Sequence, residues 1–196
     1  MTMSKSDRTA EEFKAAARRV FARQGYSVTR ITDITAEAGR ATGGIYRYFP
    51  SKAAVLKALA DEFLQARRER VADASGHGHT MVSEQDVRDH VQAYWRSYRE
   101  YRPEMIAIFE AAVSDPEFAE IQRRIRAKDV AIWRTHIKEL RTHLGKPVAE
   151  SAALAQMVVG LLENYCYTTM QPGAGRSRSS VSTLTAFVYG GITAGS

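Results

Sequence analysis

At 196 residues, 44% apolar and 26% charged, the chain has the composition of a globular protein with a real hydrophobic core, which excludes disorder as its default state. No run approaches the roughly 18 apolar residues of a membrane span, residues 1–8 are too polar for a secretory signal, and the lone Cys166 excludes an intramolecular disulfide or a cysteine-rich zinc site, so a cytoplasmic protein is expected. The net charge of +6 is uneven: residues 1–73 hold 14 Lys and Arg against 9 Asp and Glu, and residues 74–196 hold 14 against 13, a basic module beside a near-neutral one, as binding to a phosphate backbone requires.

In chain order, residues 1–8 read as an arm and residues 9–24 as a helix, with Thr9 as N-cap and Glu12 completing a capping box. Phe13, Ala16, Ala17, Val20 and Phe21 form its buried stripe, and Lys14, Arg18, Arg19 and Arg23 its solvent face. A second helix is predicted over residues 29–38, capped by Thr29, with Ile31, Ile34, Thr35 and Ala38 on one face. Gly39 supplies a left-handed turn, and a third short helix over residues 42–48 carries Ile45 and Phe49 inward while turning Thr42, Gly43, Tyr46 and Arg47 outward. Two short helices around a tight Gly turn form a helix-turn-helix, whose second helix enters a DNA major groove. Pro50 ends it, and a long helix begins at Ser51, burying Val55, Leu56, Leu59, Ala60 and Phe63 and running to Val71 as a rod able to transmit rotation.

Beyond a Gly, Ser and His-rich break at residues 74–83, every segment again reads as helix. His77 and His79 in that break are loop residues in preference to metal ligands, because no carboxylate or thiolate accompanies them. Helices are expected over residues 84–102 with Ser83 as N-cap, from Pro103 to Ser114, and from residues 115–117 to about Leu144, where Gly145, Lys146 and Pro147 stop the last. Residues 148–171 hold the most apolar helix, which must be buried on more than one side. A flexible loop follows at 172–180, and a final helix over residues 181–194 carries Leu184, Phe187, Val188 and Ile192 on one face. Cys166 reads as a buried apolar residue.

The pattern Gly25-Tyr26, Ile34, Ala38-Gly39, Gly43-Gly44-Ile45-Tyr46 and Tyr48-Phe49-Pro50-Ser51-Lys52 resembles that of the tetracycline-repressor (TetR) family of transcriptional regulators, closely over the first quarter of the chain and in helix order thereafter. The resemblance implies an all-α protein of about nine helices, with a three-helix DNA-binding domain in residues 1–52, joined through the 51–73 helix to a ligand-binding and dimerisation domain in residues 53–196. Three positions depart from the family pattern: Arg40 and Ala41 stand where an apolar and a small hydroxyl residue are usual, and Gly44 replaces a common Thr or Ser. Arg40 therefore either leaves the packed seam or reaches a phosphate.

For double-stranded DNA, Lys52 and Tyr48 are the phosphate candidates, Lys52 by the resemblance, with Thr29 a further clamp at a helix N-terminus. Thr32 faces the groove, Arg47 suits bidentate contact with guanine, Thr42 and Tyr46 suit thymine methyl or backbone contact, and Gly43 permits close approach. In the family, residues corresponding to Trp95, Tyr98, Tyr101, Met105, Phe109, Trp133, His136 and Tyr165 surround an effector cavity; by periodicity alone the same set reads as solid core. The buried polar tips of Tyr and Trp, with His136 and Asn164, favour a small apolar or aromatic effector. The resemblance also implies a homodimer through the last two helices, where Met157, Leu161, Leu184, Phe187 and Val188 are candidates. No cofactor or metal is called for. Together these imply a repressor that binds a palindromic operator and is released by its effector. A constitutive DNA-binding dimer without effector is the alternative, and an enzyme a weaker one: the sequence has no paired carboxylates at catalytic spacing, phosphate-cradling Gly loop or nucleophile elbow.

Overall fold

A computed structural model describes residues 4–75, 80–169 and 180–194. Among them all regular structure is helical: α1 Lys5–Gln24, α2 Ile31–Glu37, α3 Thr42–Ile45, α4 Lys52–Ser75, α5 Glu84–Glu100, α6 Arg102–Ala112, α7 Pro116–His143, α8 Ser151–Thr169 and α9 Ser180–Thr193. The expected loop positions His77 and His79, and residues 172–179 of the loop expected over 172–180, lie outside the described residues, while Ser180 already belongs to α9. The chain forms two compact units. Residues 1–70 and 101–122 make the first, and residues 71–100 and 123–196 the second.

In the first unit α1 begins four residues earlier than its sequence suggests. Ser4 accepts the Asp7 N–H at 3.1 Å and Asp7 accepts the Ser4 N–H at 3.2 Å, so the pair at residues 4 and 7 closes the capping box and Thr9 lies inside the helix. The described part of the expected arm is therefore helical from Lys5. The apolar stripe is as read, with Phe13, Ala16, Ala17, Val20 and Phe21 all buried.

The basic face of α1 departs from expectation in part: Lys14 is buried, Arg19 and Arg23 stay exposed as read, and all four cations are ion-paired. Lys14 is buried and meets Glu11 at 2.5 Å and also Glu62 of α4. Arg18 reaches Glu62 at 2.5 Å and the buried Glu104 of α6 at 2.6 Å. Arg19 and Arg23 share Glu37 of α2 at 2.6 and 3.1 Å, and both hydrogen bonds hold the Glu37 carboxyl below its usual pKa. Apart from Glu11, the acidic partners lie 14 to 86 residues away in sequence, beyond what a local pattern can read.

The second unit is built on one apolar cluster. Val87 and Val91 of α5 pack with Trp133, Ile137 and Leu140 of α7, Ala155, Val158, Val159 and Leu162 of α8, and Leu184, Val188 and Ile192 of α9. Ser83 caps α5 as expected, accepting the Asp86 N–H at 3.2 Å while the Asp86 carboxylate accepts the Ser83 N–H at 2.9 Å. Gly145, at φ 68°, ends α7 and lets the Lys146 N–H return to the Arg141 carbonyl at 2.8 Å. Arg141, only 2% exposed, donates to the Pro147 carbonyl and, at 2.7 Å, to the Ile192 carbonyl, satisfying the end of α9 with a buried cation. Cys166 is fully buried, and burial pushes its thiol pKa up to about 12.

Candidate nucleic-acid interface

The helix-turn-helix is assembled from a few buried residues that leave the rest facing out. Ile34 and Ile45 are fully buried and Phe49 nearly so, anchoring α2 and α3 in the first unit. Gly39, at φ 64°, supplies the left-handed step, and the Arg40 N–H bonds back to the Thr35 carbonyl at 2.9 Å. The buried Thr35 hydroxyl donates to the Thr32 carbonyl at 3.1 Å and lies 3.2 Å from the Thr42 hydroxyl, which ties the start of α3 to α2. Ala41 at the N-cap of α3 has no side-chain oxygen to offer, and α3 closes only four residues before it passes into a turn at residues 46–48.

With the apolar anchors inside, Thr32, Thr42, Gly43 and Arg47 are exposed and Tyr46 is 53% exposed. Nothing lies within 4 Å of where a Cβ would stand on Gly43 or Gly44, so packing within the chain does not require glycine at either position. Their smoothness instead leaves the backbone of α3 open to close approach from outside. Arg40, Ala41, Gly44, Arg47 and Tyr48 line an open concavity of about 520 Å³ together with Ser6, Thr9 and Phe13 of α1.

Four of the expected DNA contacts are also held within the chain. Thr29 is only 3% exposed, and its hydroxyl donates to the Gly25 carbonyl at 2.5 Å, so the side chain is turned away from any phosphate. It does not cap α2 either: Arg30 is the N-cap, and its N–H donates to the Asp33 carboxylate at 2.8 Å. Arg40 leaves the packed seam, as one of its two readings required, and meets Glu12 of α1 at 2.5 Å. Lys52 is half-buried at the start of α4, donating to the Tyr26 carbonyl at 2.7 Å and the Ser27 carbonyl at 3.4 Å, with its ammonium 4.1 Å from the centre of the Tyr26 ring. Burial lowers its pKa, and the charge of Glu110 opposes the shift. Tyr48 is half-buried, its ring 6.0 Å from that of Phe13.

The residues expected around an effector divide between the units. Tyr101, Met105 and Phe109 belong to the first, where Tyr101 packs on Phe63 at 5.0 Å and Met105 is buried. Trp95, Tyr98, Trp133, His136 and Tyr165 belong to the second. There Trp95 and Tyr165 stand 5.9 Å apart, and His136 packs on His90 at 4.3 Å and approaches Glu139 at 3.1 Å. Tyr98 and Trp133 are each 3% exposed.

Of the residues expected to dimerise, Leu184 and Val188 are buried in the second unit's own core, because α9 turns that stripe onto α5 and α8. Met157 and Phe187 are 69% and 68% exposed, and Leu161 is half-buried. The interface expectation therefore narrows to those three.

One contributor escaped sequence reading. Glu110 of α6 accepts both the Ser27 N–H and the Ser27 hydroxyl, at 2.8 and 3.1 Å, across a separation of 83 residues. The available signal was an acid set within the apolar run from Met105 to Val113, since a carboxylate in such a position needs a partner.

A family model described as bacterial regulatory proteins, tetR family, matches residues 15–59, which include all of α2 and α3. An uncharacterised HTH-type transcriptional regulator of Bacillus subtilis, YfiR, is 25% identical over 105 residues, a stretch covering 54% of this chain and 44% of that protein, so the match spans less than half the relative's length. Among solved structures, a TetR-like transcriptional regulator from Rhodococcus sp. RHA1 superposes with a TM-score of 0.76 at 15% identity, covering 99% of this chain and all of the other. The fatty acid degradation regulator FadR of Bacillus halodurans superposes with a TM-score of 0.71 at 18% identity, covering 98% and 99%. At such identities the superpositions carry the fold.

Proposed function

We propose that the chain is a TetR-family transcriptional regulator that represses transcription by binding a palindromic operator as a homodimer, a reading supported by the tetR family model over residues 15–59 and by the shared fold. The observation that carries this reading is the outward set Thr32, Thr42, Gly43, Tyr46 and Arg47 on a helix-turn-helix anchored from inside by Ile34, Ile45 and Phe49. Phosphate contacts hold register and base-edge contacts give sequence. Lys52 and Tyr48 are assigned to the first task and Arg47, Thr42 and Tyr46 to the second, with residues 1–52 reading DNA and residues 53–196 sensing and dimerising. Lys52 has three N–H donors, and its two carbonyl bonds leave one for a phosphate.

The effector in this reading is a small apolar or aromatic molecule recognised in the second unit by Trp95, Trp133, His136 and Tyr165. Such a ligand lowers operator affinity only by the difference between its affinities for the free and DNA-bound forms. A second reading, a constitutive DNA-binding dimer without effector, rests on the near-complete burial of Tyr98 and Trp133, which also suits a solid core. A salt-titrated gel shift with the DNA flanking the protein's own gene, repeated with aromatic ligands, tests both. A specific shift relieved by a ligand is the expected outcome. A specific shift that no ligand relieves favours the second reading, and the absence of any specific shift contradicts both.

A further inference from the structure

The turn between α1 and α2 is held from an unexpected direction. Gly25 leaves α1 at φ 84°, a conformation that favours glycine. A Cβ placed on it would stand 3.0 Å from the Glu110 Oε1, so the carboxylate occupies the space a side chain would need. The other oxygen, Oε2, accepts the Ser27 N–H and hydroxyl at 2.8 and 3.1 Å. From this turn two things depart. The Gly25 carbonyl takes the Thr29 hydroxyl at 2.5 Å, two residues ahead of α2, and the Tyr26 and Ser27 carbonyls take the Lys52 ammonium at the head of α4. α6 also holds α1 itself, through Glu104 and Arg18 at 2.6 Å.

Resting on the DNA-reading role proposed above, we propose that Glu110 is a positioning residue for DNA binding: its carboxylate fixes the α1–α2 turn on which the start of α2 and Lys52 both depend, without itself touching DNA. A turn fixed before the encounter does not have to be ordered during it, and that saving appears as affinity. Plain electrostatics makes the opposite prediction. Removing a negative charge beside a DNA-binding surface strengthens attraction to phosphate, so the sign of the effect separates positioning from charge.

The test measures binding to a duplex that the wild-type full-length protein selects from a randomised pool, across a range of salt. Glu110→Ala is expected to weaken binding about tenfold, as befits the loss of charge-assisted hydrogen bonds. The slope of log K against log salt should stay at the wild-type value, because no phosphate contact is removed, whereas Lys52→Ala should reduce it by about one. Glu110→Gln, which keeps an acceptor for Ser27 but loses the charge, should fall between Glu110→Ala and wild type. Helix content by circular dichroism identifies a variant that fails to fold. If Glu110→Ala does so, Glu110→Gln decides the question: weaker than wild type at unchanged slope supports positioning. Binding by a folded Glu110 variant as tight as wild type or tighter, or a reduced slope, overturns the proposal while leaving the DNA-reading role intact. Failure of the wild-type protein to select any duplex would remove that role, and the proposal with it.

Discussion

Lys52 stands at a junction where one side chain has two duties. Its ammonium holds the carbonyls of Tyr26 and Ser27 and faces the Tyr26 ring, and the proposed function gives it a phosphate as well. Lys52→Ala should therefore lower affinity for all duplex sequences by about 1–2 kcal/mol and flatten the salt dependence; equal slopes for mutant and wild type would remove it from the contact set. Arg47 is exposed on the turn that follows α3, so Arg47→Ala should cost about 1–3 kcal/mol and relax preference at one base pair in each half-site. A selected-sequence profile identical to that of wild type would contradict that assignment. Cys166 makes a simpler case. Its thiol is fully buried, and burial raises its pKa to about 12, so below that pH the native thiol stays protonated and inert. A disulfide reagent near neutral pH should leave the native protein unmodified and titrate one thiol after denaturation; rapid reaction of the native form would show that α8 opens.

At the scale of elements, the packing of α9 decides which apolar residues remain available to a second chain. Leu184, Val188 and Ile192 face the second unit's core while Phe187 points outward, and Met157 of α8 is equally exposed. Phe187→Glu should convert the proposed dimer to a monomer by sedimentation with helix content intact, as expected when a large apolar anchor is lost at about 2 kcal/mol or more. An unchanged dimer mass would place the interface elsewhere. The elements themselves were largely legible in the sequence, because amphipathic stripes repeat at helical spacing and Gly39, Gly145 and Pro116 punctuate them. The helix-turn-helix was legible in finer detail, since the buried positions Ile34, Ile45 and Phe49 and the left-handed Gly39 are all local requirements. Apart from the Thr29 cap, which lost to groups within four residues of it, what was not legible depends on partners remote in sequence. Thr29 as a cap lost to the Gly25 carbonyl and the Asp33 carboxylate, Arg40 found Glu12, and the solvated face of α1 found Glu62 and Glu104. Neighbours in sequence cannot reveal which distant acid will neutralise a cation, and the same blindness hid Glu110.

For the whole molecule, the charge asymmetry read from composition acquires a physical setting. The first compact unit contains the basic segment, yet many of its cations on α1 are neutralised within the unit by Glu11, Glu37, Glu62 and Glu104. On the proposed reading, the charge offered to DNA is concentrated on fewer groups, Arg47 and Lys52 foremost, than the count of Lys and Arg suggests. Fewer phosphate contacts mean a shallower salt dependence, so discrimination has to come from the base-facing side chains and from paired half-sites. A footprint on the duplex selected by the wild-type protein tests this most directly. The account expects two protected half-sites centred about one helical turn, or a multiple of it, apart, both lost in the Phe187→Glu monomer at the concentration where wild type protects fully. A single unpaired footprint, or full protection by the monomer, would contradict it.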